Sequence, residues 1–91
     1  MSQRATCKVK IKNRLGLHAR PAMMFVDAAT GVQSDVTVKG NGEEVDGKSI
    51  MQMMMLAATQ GVELEITAVG DDAEDACRML EELVNSGFGE D

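Results

Sequence analysis

Tryptophan and tyrosine are absent from this 91-residue chain, and Phe25 and Phe88 are its only aromatic residues. Stacking of nucleic-acid bases on an aromatic platform is therefore not expected. The core has to be aliphatic, with eight methionines as adaptable filler. The two cysteines, Cys7 and Cys77, stand far apart without CxxC spacing, and there is a single histidine, His18. Neither a zinc cage nor a redox pair is indicated, and two buried thiols in a reducing cytosol are expected. No apolar run reaches the roughly 18 residues of a membrane span, and no signal peptide or twin-arginine pattern occurs, so a cytoplasmic chain without membrane insertion is expected. Nine basic residues against fifteen acidic ones leave a formal charge of −6, which opposes nonspecific binding to nucleic acid or anionic lipid. Eight of the nine basic residues precede Ser49 and ten of the fifteen acids lie from Glu63 onward, so one face or end is expected to be locally positive.

The length fits one domain over residues 1–91, with a core from about 6 to 86 and a polar tail from Gly87 to Asp91. Cys7, Val9 and Ile11 alternate with Lys8, Lys10 and Lys12, the period-two pattern of a half-buried strand. Apolar positions at Ala22, Val26 and Ala29 predict a helix over Ala19–Thr30, with Gly31 as its C′ residue. Val32–Lys39 alternates again, Gly40-Asn41-Gly42 supplies a hairpin turn, and Glu43–Asp46 forms the return strand. Ser49 is placed to cap a second helix, apolar from Ile50 to Ala58 except for Gln52. Val62–Ala68 is a strand, and a last helix runs to about Asn85 after an Asp71…Glu74 capping box. The order β-α-β-β-α-β-α predicts an α+β open-faced sandwich: a four-stranded, mostly antiparallel sheet with three helices on one face. Lys8, Lys10, Thr37 and Glu65 would face water on the other.

The chemistry concentrates at His18. It directly precedes a predicted helix, whose first-turn amides are unpaired and carry a partial positive charge that suits a phosphoryl group. Pro21 is tolerated in that turn because its missing N–H belongs among the unpaired ones. Arg20 adds a forked cation matched to phosphate oxygens. A neutral imidazole can accept a phosphoryl group without a separate base. No metal ligands, Walker loop or dinucleotide fingerprint accompany it, so donor and acceptor would be partner proteins and no cofactor is expected. The second helix is apolar all round, and its surplus face, rich in methionine, suits docking of several partners. Ser49 reads as a helix cap; phosphorylated, it would place about two negative charges beside that apolar surface.

Leu15-Gly16-Leu17-His18-Ala19-Arg20-Pro21-Ala22 resembles HPr, the histidine-containing phosphocarrier family of the bacterial phosphoenolpyruvate-dependent phosphotransferase system. Asp46-Gly47-Lys48-Ser49-Ile50-Met51 resembles the regulatory-serine segment of the same family. The resemblance covers roughly Thr6 to Ser86. It implies that His18 takes a phosphoryl group on Nδ1 from phosphorylated enzyme I and passes it to IIA components. It implies that Arg20 meets that group, and that Ser49 is the target of an HPr kinase/phosphorylase where a cell has one. Ala19, Ala22, Ile50, Met51 and Met54 then form the partner patch, and a monomer is expected. Asp46-Gly47-Lys48-Ser49 and Met53 to Ala58 look closer to the nitrogen-type branch. The alternative reading is a regulatory or nitrogen-type module acting mainly through phosphorylation-dependent protein binding.

Overall fold

The computed structural model describes residues 3–90. Alternating small apolar and charged residues form β1 (Gln3–Lys10), β2 (Asp35–Gly40), β3 (Glu43–Asp46) and β4 (Glu63–Gly70). They pair antiparallel in the order β1-β4-β2-β3. The register aligns Cys7 with Ile66, Ile66 with Val38, and Val38 with Val45. One apolar row therefore crosses the whole sheet on a single face, as a two-residue period requires. The opposite face carries Lys8 and Lys10, which are exposed, and Thr37 and Glu65, which are half-buried. The fold class is the expected one.

Three helices, α1 (Ala19–Thr30), α2 (Ile50–Met55) and α3 (Ala73–Asn85), accompany the sheet. Phe25, Val26 and Ala29 of α1, Met53 of α2, and Leu80 and Val84 of α3 join Val38, Leu64 and Ile66 in one core. Burial of Leu80 and Val84 alone contributes about 3–6 kcal/mol as an upper figure. That is enough to hold a 13-residue helix that would be marginal in water.

Local sequence misplaces several boundaries. β1 begins at Gln3 and ends at Lys10, so Ile11 is buried outside the strand, and β4 extends to Gly70. Gly31 caps α1 with a right-handed backbone, φ −77°, so it does not act as a left-handed C′ residue. α2 has only six residues and does not run to Ala58. Asn41 Nδ2 donates to the carbonyls of Leu56 at 3.0 Å and Ala57 at 3.3 Å, satisfying helix-end acceptors from the β2–β3 turn. Ala57 then turns left-handed at φ +48°. Cys77 is buried as expected, but Cys7 is only half-buried. Burial first, and the neighbouring Cys77 second, push the Cys7 thiol up to about 12.

The Asp71…Glu74 capping box is also absent. Asp72, one residue later, starts α3, and its side chain makes no cap. Its carboxylate instead accepts the backbone N–H groups of Gln33 at 2.8 Å and Ser34 at 2.9 Å and the Ser34 hydroxyl. The Ser34 hydroxyl, then the Gln33 amide, hold the Asp72 carboxyl below the usual range. A carboxyl with a depressed folded-state pKa stabilises above its unfolded value of about 3.9, and that contribution is lost as pH falls through the folded value. Acid unfolding of Asp72→Asn is therefore expected to be less steep below about pH 4 than that of the wild type. Superimposable acid transitions would contradict this tether.

The largest departure is the C-terminal segment. Gly87–Gly89 forms a short 3₁₀ turn instead of a polar tail, with Phe88 fully buried at 0% exposure. Gly87, Phe88 and Gly89 have φ of +67°, +57° and +73°, a left-handed run that folds the chain back. Asp91, the last tail residue, lies outside the described residues.

Candidate functional site

The loop before α1 is held by backbone bonds to the segment before β4. Ile11 N–H donates to Val62 at 3.0 Å, Gly61 N–H to Ile11 at 2.8 Å and Leu17 N–H to Ala58 at 2.8 Å. Gly16 is left-handed at φ +70°, and a Cβ there would lie 2.6 Å from the Ala58 carbonyl oxygen. Only glycine permits this approach. Ile11 and Leu17 are buried on either side of the loop, so its end is fixed where His18 emerges.

His18 is the N-cap of α1, with extended backbone (φ −79°, ψ −173°) and no side-chain bond to its own helix. Its carbonyl accepts the Ala22 N–H at 3.0 Å. Helix geometry leaves the amides of Ala19 and Arg20 without intrahelical partners, while Pro21 has none to leave. The imidazole is thus free to meet Glu90. Nε2 lies 2.9 Å from Oε1 and 3.1 Å from Oε2 of that carboxylate. Arg20 Nη1 donates to Glu90 Oε2 at 2.9 Å and to the Phe88 carbonyl at 3.4 Å. Asn13 Nδ2 donates to Glu90 Oε1 at 3.1 Å and to the Gly16 carbonyl at 2.7 Å.

The Glu90 side chain is only 18% exposed. Its hydrogen bond with His18, then those from Arg20 and Asn13, hold its carboxyl below the usual range despite partial desolvation. An ionised carboxylate only accepts hydrogen bonds, so Nε2 must carry the proton. In the neutral ring the lone pair is then on Nδ1.

The other sequence-predicted residues distribute unevenly. Arg20 and Ala19 are exposed at the start of α1, whereas Ala22 is fully buried at 0% and belongs to the core. Its assignment to the partner patch is therefore corrected: position 22 turns inward on the face that carries Val26 and Ala29. Ser49 accepts the Gln52 N–H through Oγ at 3.2 Å, the expected cap. Ile50, Met51 and Met54 are exposed, Met51 at 82%, together with Met55, while Met53 is fully buried. α1 and α2 pack against one another. Leu15 and Met23 are further exposed apolar residues, from the loop before α1 and from α1.

Asn13 and Glu90 were not legible as site residues. The signal available was Phe88, one of only two aromatic residues, set between glycines in a segment otherwise polar. A large apolar side chain in such a segment calls for burial, and its burial brings Glu90, two residues on, to His18.

A concavity lies on the exposed sheet face between Lys8, Lys39, Glu43 and Glu63 and includes no residue of the His18 cluster. Among the described residues no group of three metal-ligating side chains occurs, and no helix is long and apolar enough to cross a membrane. The His18 imidazole is half-exposed, on a surface that a partner can reach.

Residues 5–86 match the family model described as the PTS HPr component phosphorylation site. The chain is 45% identical over 82 residues to phosphocarrier protein HPr of Neisseria meningitidis, covering 90% of this chain and 92% of that one. It is 44% identical over 85 residues to phosphocarrier protein NPr of Proteus mirabilis, covering 92% and 94%. The crystal structure of HPr from Thermoanaerobacter tengcongensis superposes with a TM-score of 0.91 at 41% identity, over 96% of this chain and 98% of that one.

Proposed function

Because the chain belongs to the HPr family and is a phosphocarrier of the phosphotransferase system, we propose that His18 is the residue that carries the phosphoryl group. The observation supporting this most is the Nε2 contact with Glu90, which leaves the Nδ1 lone pair available. That lone pair attacks the phosphorus of phosphorylated enzyme I as the bond to the donor breaks, its electrons staying with the donor. Arg20 and the first-turn amides of α1 offset the charge of the phosphoryl oxygens. A second in-line displacement passes the group to a IIA-type acceptor. Phosphoenolpyruvate supplies the group through enzyme I, so the chain needs no cofactor of its own. The relay operates in the cytoplasm, without nucleic acid or membrane insertion, and a monomer suits exchange between partners through one face. The test is incubation with phosphoenolpyruvate and enzyme I followed by intact mass, for which one acid-labile phosphoryl group per chain is expected. No added mass with an active enzyme I would overturn the proposal.

Arg20→Ala is expected to slow transfer by about tenfold to a hundredfold. That is less than the ~10²–10³ of an enclosed oxyanion donor, because Arg20 is open to water. Thermal unfolding should stay nearly unchanged, since an exposed first-turn arginine contributes little to the core. An unfolded variant would contradict its surface placement.

Partner docking uses Ala19, Ile50, Met51 and Met54, an exposed apolar set that depends on close fit to the partner. Ser49, beside that set, is the site for an ATP-dependent HPr kinase/phosphorylase. Ser49→Asp keeps a good N-cap residue and adds negative charge, so enzyme I affinity is expected to fall while stability changes by less than about 1 kcal/mol. Unchanged transfer kinetics would remove the electrostatic reason for regulation here. Kinship to NPr favours a nitrogen-type acceptor as the second reading, to be distinguished by which IIA component discharges the phosphorylated chain.

A further inference from the structure

We propose that Met51, Met54 and Met55 form a reversible oxidation site at which hydroperoxides weaken partner docking. This regulation rests on α2 being a surface that meets enzyme I. Steps of three and four residues set the three methionines on one side of the helix, where they are 82%, 41% and 63% exposed, while Met53 turns the other way and is fully buried. Met23 and Met79 are exposed singly, on α1 and α3. Thiolates ordinarily compete for the same oxidants. Here the thiols are withdrawn: Cys77 is buried and its S–H donates to the Ala5 carbonyl at 3.3 Å, and burial keeps Cys7 protonated at neutral pH. A thioether needs no deprotonation to react, so the exposed face of α2 meets the oxidant first.

In each event a sulfur lone pair attacks one oxygen of hydrogen peroxide, an S–O bond forms, the O–O bond breaks, and the second oxygen leaves as water with both peroxide protons. The sulfur is oxidised and the peroxide reduced by one electron pair. An apolar side chain thereby becomes a polar hydrogen-bond acceptor that a closely fitting partner has to desolvate. The fold does not depend on these sulfurs, because other groups fix α2. Ser49 Oγ accepts the Gln52 N–H, and Gln52 Oε1 accepts the Asp46 N–H at 2.9 Å. Asn41 donates to the carbonyls just past the helix end, and Met53 stays shielded in the core. Oxidation therefore changes what the face binds and leaves the helix in place.

The test treats full-length wild type and the variant Met51→Leu/Met54→Leu/Met55→Leu with dilute hydrogen peroxide. Peptide mass maps the added oxygens, and phosphorylation by enzyme I and phosphoenolpyruvate is measured before and after treatment. In wild type, oxygen is expected on Met51, Met54 and Met55, with Met53 unmodified and the thiols of Cys7 and Cys77 still free. The KM of the oxidised chain as substrate of enzyme I should rise about tenfold with kcat little changed, since a mismatched polar group weakens binding and not the chemical step. Methionine sulfoxide reductases for both sulfoxide epimers should restore the original KM, and the thermal melt should stay close to that of the untreated chain. The variant, compared with its own untreated form, should keep its KM although Met23 and Met79 still take up oxygen. An unchanged KM in oxidised wild type, an equal rise in the variant, earlier oxidation of the cysteines or a collapsed melt overturns the oxidation site and leaves the carrier assignment standing. An untreated wild type that takes no phosphoryl group from active enzyme I overturns both.

Discussion

His18→Ala is expected to abolish phosphoenolpyruvate-dependent phosphorylation, taking acid-labile phosphate from about one group per chain to none detectable. The substitution removes the only imidazole in the chain. The remaining polar atoms at the site belong to Glu90, Arg20 and Asn13. A guanidinium and a primary amide are not nucleophiles at neutral pH, and the Glu90 carboxylate is a weak one whose oxygens are already engaged by Arg20 and Asn13. The fold should survive, because the ring is half-exposed and surface substitutions shift stability by about 0.5 kcal/mol or less, somewhat more where an ion pair is lost. Intact mass under alkaline handling together with a thermal melt checks both parts. Persistent acid-labile label in a folded His18→Ala protein would place the acceptor elsewhere.

Phe88→Ala is expected to cost about 3–5 kcal/mol of stability, the range for truncating a fully buried phenylalanine. Phe88 is at 0% exposure and holds φ +57°, a conformation unfavourable by about 1–2 kcal/mol for a residue with a Cβ. Burial of the ring has to outweigh that strain, and alanine keeps the strain while losing most of the burial. Against a total stability of about 5–15 kcal/mol for a domain, the loss is large enough to read as a clear drop in urea midpoint. It also releases the turn that presents Glu90 to His18 and Arg20, so transfer should slow even where the variant remains folded. A stability change under about 1 kcal/mol would mean that the ring is not packed as described.

Much of this fold was legible because the deciding forces are local and periodic. Cys7 to Lys10, Val36 to Val38 and Leu64 to Ala68 alternate strictly, and each alternation became one buried and one wetter sheet face. α1 starts and ends where His18, Pro21 and Gly31 indicated, at Ala19 and Thr30. His18 and Arg20 were legible as a pair because two residues at a helix start are necessarily neighbours. What escaped was decided by contacts far along the chain. Asn41, in the hairpin turn, ends α2 three residues before its apolar run does. Asp72 turns its carboxylate from its own helix to Ser34, 38 positions earlier, because two backbone amides and a hydroxyl converge there. Glu90 reaches His18 across 72 positions through the buried Phe88. Ala22 followed the same logic in reverse. The motif groups it with exposed Ala19, but Ala22 shares the helix face of Val26 and Ala29, four and seven residues on, which is buried in the core.

The decisive measurement is the position of the phosphoryl group on ¹⁵N-labelled wild-type protein charged by phosphoenolpyruvate and enzyme I from the same organism, read by ³¹P and ¹⁵N NMR. One acid-labile group on Nδ1 of His18, with the proton still on Nε2, is the expected result. A phosphoryl group on Nε2, on any other residue, or on none while enzyme I is active would contradict the assignment of His18 as the carrier through the nitrogen that Glu90 leaves free.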